Sequence, residues 1–168
     1  MFEPISRIKR SIWLVLVLLT LCGLSSASTD REAPDFTLPT DHGEVTLSQF
    51  RGQVVYVDFW ASWCGPCRKS FPWMSDLQGR YEAQGFKVIA INLDSDRALG
   101  EKFLARYPAR FTVAFNPQGE IAEAYGVTGM PTSYLVDRKG RIHAEHLGFR
   151  ESELADVETQ IRALLARR

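Results

Sequence analysis

The strongest constraint on this chain is the run Val54-Val55-Tyr56-Val57-Asp58-Phe59-Trp60, closely followed by Cys64-Gly65-Pro66-Cys67. β-branched and aromatic residues without polar alternation describe a strand buried on both faces, which needs a sheet covered on both sides. A helix is predicted from near Pro66 to about Gln84, because proline is tolerated in a first turn and Phe71, Met74, Leu77 and Tyr81 recur at spacings of three and four. Pro72 inside it predicts a kink. The two cysteines therefore stand where a buried strand gives way to a helix. First-turn amides lack intrahelical partners, and the positive end of the helix dipole stabilises an anion, so Cys64 is expected to ionise readily. Cys67 lies one turn on, more buried and within reach of a mixed disulfide on Cys64, so the pair can cycle between dithiol and disulfide.

The remaining pattern alternates strands and helices. Phe36-Thr37-Leu38 and Val45-Thr46-Leu47 flank Thr40-Asp41-His42-Gly43 as a β-hairpin. Residues 87–93 read as a second buried strand and 96–107 as a helix with Leu99, Phe103 and Leu104 on one face. A short strand at 111–115 and a short helix at 118–125 follow. Met130-Pro131 opens a strand at 132–137, Arg138-Lys139-Gly140 turns it, and 141–147 completes a hairpin. Residues 151–168 form an amphipathic helix carrying Leu154, Val157, Ile161 and Leu164. This order predicts an α/β fold: a mixed β-sheet covered by helices on both faces, in one domain spanning 28–168.

The N-terminus has a different composition. Arg7, Lys9 and Arg10 precede an apolar block from Ile12 to Leu21, and Ser25-Ser26-Ala27 presents small residues at the positions a signal peptidase reads. The block is short for a membrane span, so residues 1–27 read as a secretory signal peptide. The alternatives are a lipid-modified Cys22 and an uncleaved anchor holding the domain at the membrane. Cleavage after Ala27 would leave 141 residues with 17 basic and 19 acidic side chains. Across the whole chain 20 basic and 20 acidic residues cancel. No basic excess marks a nucleic-acid binder. Three cysteines are too few for a disulfide-held scaffold.

An exported Cys-x-x-Cys is either a structural disulfide or a working redox couple. A zinc site would need a second ligand pair, and His143 with His146 fails as one because alternation puts residues three apart on opposite strand faces. No metal is predicted, and His42, His143 and His146 read as solvated. Asp58 sits among apolar residues, so burial should raise its pKa and let it exchange a proton with Cys67. Trp60 and Trp63 read as part core and part rim, and Arg68 and Lys69 as a solvated helix face.

Residues 57–67, Val-Asp-Phe-Trp-Ala-Ser-Trp-Cys-Gly-Pro-Cys, closely resemble the active-site segment of the thioredoxin superfamily. Gly126-Val127-Thr128-Gly129-Met130-Pro131-Thr132 is similar to that family's substrate-facing loop, and Pro72 matches the proline of its active-site helix. The leading hairpin, the helix-strand insertion at 96–125 and the signal peptide resemble the exported TlpA and ResA branch. The resemblance implies a thioredoxin fold and a thiol-disulfide oxidoreductase with Cys64, Cys67 and Asp58 catalytic. It implies substrate contacts at Trp63, Gly65, Pro66, Met130 and a cis Pro131, with no cofactor. The implied partners are exported proteins with disulfides and a membrane-bound electron donor, met by a monomer in the periplasm, with cytochrome c maturation as one destination. Two departures stand out: Ser70 where ResA-like reductases carry glutamate, and Thr132 where the DsbE type carries an acid after the proline. A thiol peroxidase and a redoxin-type copper chaperone are the other function classes. The first usually has Thr-x-x-Cys and the second Cys-x-x-x-Cys, neither of which this chain carries.

Overall fold

A computed structural model describes residues 31–167. The expected signal peptide and its cleavage point at Ala27 lie outside the described residues, as does Cys22. Eight strands form one sheet: β1 (Arg31–Glu32), β2 (Thr37–Thr40), β3 (Gly43–Thr46), β4 (Val54–Trp60), β5 (Phe86–Asn92), β6 (Thr112–Phe115), β7 (Thr132–Val136) and β8 (Arg141–Leu147). Their spatial order is β1-β8-β7-β4-β5-β6-β2-β3. β4, β5 and β6 run parallel, while β7 pairs antiparallel with β4, and β8 with β7. The helices are α1 (Cys67–Tyr81), α2 (Arg97–Arg106), α3 (Glu120–Tyr125) and α4 (Leu154–Ala166).

β4 is central because every one of its side chains is buried. Val54, Tyr56 and Trp60 point to a core shared with Phe71, Met74 and Leu77 of α1, Phe103 of α2 and Val157, Ile161 and Leu164 of α4. Val55, Val57 and Phe59 point the other way, onto Ala122 and Tyr125 of α3 and onto Leu38 and Val45 of the hairpin. The run of apolar residues in β4 is the sequence consequence of this two-sided cover. Asp58, at an even position, faces the α1 side.

Helix α1 starts at Cys67, with Pro66 as its cap, and stops at Tyr81, after which Glu82–Gln84 tightens into a 3₁₀ turn. Pro72 lies within it on the exposed side, where its missing N–H costs no buried bond. The expected face of α2 is partly wrong. Gly100 and Phe103 are its buried residues, and Leu99 is 46% exposed because Gly100 takes the closest approach to the sheet. Trp60, Phe71 and Phe103 meet with ring centroids 4.8 to 5.0 Å apart, which ties the inserted helix to the strand and helix that flank the cysteines.

Candidate active site

Cys64 and Cys67 are joined by a disulfide with their Cα atoms 5.4 Å apart. The Cys67 amide donates to Cys64 Sγ at 3.3 Å. The next three amides of α1 donate to backbone carbonyls instead, Arg68 to Gly65 and both Lys69 and Ser70 to Pro66. Of the unpaired donors at the start of this helix, one is thus aimed at sulfur, where it and the helix dipole favour negative charge on Cys64 when the disulfide opens.

Cys67 is expected to be the more buried of the two cysteines, but Cys64 is nearly as enclosed. It stands three residues before the helix and is 3% exposed, against none for Cys67. Its side chain turns under the loop while Trp63, Gly65 and Pro66 take the surface. The rim is apolar: Trp63 is 68% exposed and Leu147 is also exposed. Met130 is half-buried and Pro131 buried, and the peptide bond between them is cis. Among the described residues, no hydrogen bond uses the Met130 amide or carbonyl.

Asp58 is 2% exposed, its Oδ2 is buried with no hydrogen-bond partner among the described residues, and burial holds its carboxyl well above the usual carboxylate range. Nearby, the Tyr56 and Ser133 hydroxyls share a 2.5 Å hydrogen bond, and burial raises the tyrosine pKa. Ser70, at the position where ResA-like reductases carry glutamate, is buried and donates its hydroxyl to the Cys67 carbonyl. Lys69 pairs across the surface with Glu151, as a solvated helix face would.

The loop before Cys64 is held by residues that sequence reasoning missed. Asp94 accepts from the Ser62 amide and the Ser62 hydroxyl, both at 2.9 Å, and from Asn92 Nδ2 at 2.8 Å. Asn92 and Asp94 are buried, and Gly100 leaves room for the Asn92 amide, since a Cβ there would come within 2.9 Å of it. The available signal was position: Asn92 and Asp94 stand at the carboxyl end of a strand parallel to β4, the end where sites on such sheets gather.

His146 also departs from expectation. His42 is exposed, but His146 is half-buried and its Nε2 is enclosed without a partner among the described residues, because the ring lies on the α1 side of the sheet. Burial lowers its pKa.

Comparison with known proteins agrees with this geometry. The Redoxin family model matches residues 28–161. The thiol-disulfide oxidoreductase ResA of Bacillus thuringiensis subsp. konkukian is 32% identical over 158 residues, covering 86% of this chain and 91% of the relative. ResA of Bacillus cereus is 36% identical over 124 residues, covering 73% and 72%. A crystal structure assigned as a thiol:disulfide interchange protein DsbE from Chlorobium tepidum superposes with a TM-score of 0.81 at 53% identity, covering 84% of this chain and all of that one. The redox pair, the thioredoxin fold around it and these relatives make the chain a member of the Redoxin family, a ResA- and TlpA-like thiol-disulfide oxidoreductase of the thioredoxin superfamily.

Proposed function

We propose that the protein is exported and reduces disulfides of extracytoplasmic proteins, with Cys64 as attacking nucleophile and Cys67 as resolving thiol. The observation that carries the assignment is the Cys67 amide directed at Cys64 Sγ from the first turn of α1. In the reduced protein the Cys64 thiolate attacks one sulfur of a substrate disulfide, and the other substrate sulfur leaves with the bonding pair. Cys67 then gives its proton to Asp58 as Asp58, held neutral by burial, gives up the one it carries, and Cys67 attacks Cys64 Sγ. The bond from Cys64 to the substrate sulfur it had attacked breaks, that sulfur leaves with the bonding pair, and the Cys64–Cys67 disulfide forms. Two electrons have passed to substrate.

Substrate would lie against Trp63, Gly65, Pro66, Met130 and Pro131. The unused Met130 amide and carbonyl suit pairing with an extended strand, and the exposed Trp63 suits an apolar residue beside the substrate cysteine. A membrane-bound donor returns electrons to the pair, and cytochrome c maturation is one pathway that needs such a reductant. Export rests on the charged, apolar and small-residue pattern of residues 1–27. N-terminal sequencing of the protein from cells tests it: a start at Ser28 is expected, while a start at Met1 or a lipid on Cys22 contradicts it. The oxidoreductase roles are tested by single-turnover oxidation of the reduced protein with oxidised insulin. Cys67→Ser should stop at a mixed disulfide on Cys64, and a full turnover by that variant would contradict the assignment.

A further inference from the structure

A proton taken up by Asp58 has to leave again before the next turnover, and a substrate seated over the sulfurs would stand in the way on that side. The sheet offers another direction. In the β4–β7 ladder Asp58 stands opposite Ser133, and in the β7–β8 ladder Ser133 stands opposite His146. Directly opposed residues point to the same face with Cα atoms about 4.5 to 5.5 Å apart, so the three side chains form one row on the α1 side. Asp58 and Ser133 are buried, at 2% and 3% exposure, whereas His146 keeps some exposed surface. Asp58 Oδ2 and His146 Nε2 are both enclosed without partners among the described residues, one at each end of the row. Ser133 Oγ is held by the Tyr56 hydroxyl, and a serine hydroxyl can accept one bond and donate another.

Two orphaned buried polar atoms cost free energy in a purely structural core, which here could have been apolar throughout. Their alignment has a use. We propose that His146 is a positioning residue for the oxidoreductase reaction, the outlet of a proton path that runs from Asp58 past Ser133 to the flank of the sheet. The proposal rests on Asp58 accepting the Cys67 proton. Asp58, neutral at rest, gives up its own proton as it takes that one, and the released proton passes along the row, through the Ser133 hydroxyl or a water beside it, to His146 Nε2, from which the imidazole releases it to solvent. In the reverse direction His146 supplies the proton that returns to Cys67. The charged and titratable groups that act on the imidazole are Glu153 from the turn before α4, itself paired with Arg150, and Glu145 and His143 on its own strand, while Asp58 and Tyr56 stand on the same face of the sheet two strands away. A ring kept neutral by burial is free to accept.

The test is stopped-flow oxidation of the fully reduced, full-length protein by oxidised insulin, following formation and resolution of the mixed disulfide from about pH 5 to 9. His146→Gln should leave the first attack unchanged, slow resolution about ten-fold or more near neutral pH, and recover when imidazole is added to the buffer. Ser133→Ala should slow the same step. His146→Asn repeats the measurement should the glutamine variant fail to fold. Resolution at the wild-type rate in the His146 variants overturns the proposal, and so does slowing that imidazole does not relieve, which marks a structural role. Asp58→Asn measured alongside separates the two levels. If it resolves normally, the role of Asp58 fails; if it is slow while the His146 variants are not, only the outlet fails.

Discussion

Asp58, buried, and His146, half-buried, are titratable groups whose environments push them in opposite directions. Burial raises the acid and lowers the base, so both favour the neutral form. Their effects on stability therefore have opposite signs. Unfolded, Asp58 loses its proton near pH 4, yet the folded protein retains it to a higher pH, so its contribution makes stability fall as pH rises through that window. Unfolded, His146 gains a proton near pH 6.5 while the folded protein resists it to a lower pH, so its contribution makes stability fall as pH drops below about 6.5. In the oxidised protein, Asp58→Asn is expected to remove the first slope. Urea midpoints of wild type and variant should diverge steadily in the variant's favour from about pH 4 upward, and parallel profiles would show that Asp58 is not held neutral. The same substitution should slow resolution of the mixed disulfide near neutral pH. The acid itself was legible in the sequence, since one carboxylate in an apolar strand stands out. The histidine was not, because alternation gives the face of a strand but not what covers it.

Among the elements, α1 is fixed at both ends. At its start the disulfide and the Cys64 sulfur take the place of a cap. At its end Arg80 grips Glu158 of α4 through two nitrogens, at 2.6 and 3.0 Å, and the Tyr81 hydroxyl donates to the same carboxylate. These partners lower the Glu158 pKa to about 2. The pair is partly exposed, so its removal should cost only about 0.5 to 1 kcal/mol. Because the folded value lies below the unfolded one, this stabilisation is present above about pH 4.3 and disappears as pH falls toward 2. A double-mutant cycle on Arg80 and Glu158 should show coupling at neutral pH and none at pH about 2; coupling that persists in acid would contradict the ion pair. A sharper case lies in α2. Alanine normally improves a helix over glycine by about 0.5 to 1 kcal/mol, but at Gly100 its Cβ would press on a buried Asn92 that orients Asp94. Gly100→Ala is expected to destabilise by about 1 to 3 kcal/mol and to disorder the loop before Cys64, and a stabilised variant in chemical denaturation would refute the link. Helix and strand identities followed from periodicity. This chain of contacts did not, since Ser62 and Asp94 are brought together by the register of β5 beside β4, which no local pattern encodes.

In the whole molecule, the insertion between β5 and β7 is part of the redox unit, because Phe103 of α2 packs on both Trp60 and Phe71. The α/β order, the central strand and the redox pair are all legible in the amino-acid sequence, for a physical reason: a strand buried on both faces and a helix opening with Cys-x-x-Cys each leave an unbroken local signature. What covers each face, and which polar atoms remain unpaired inside it, arises from contacts between distant segments. The proposed mechanism rests on the division of labour between the two sulfurs. Cys64 receives the helix-start amide and Cys67 lies fully enclosed behind it, and the proposal gives the first attack to Cys64 and the release to Cys67. The direct measurement is to express Cys67→Ser and Cys64→Ser in cells and isolate each under non-reducing conditions, then compare the proteins bound through mixed disulfides. Abundant partners on Cys67→Ser and almost none on Cys64→Ser are the predicted result. Equal trapping by both, or trapping by Cys64→Ser alone, would contradict it.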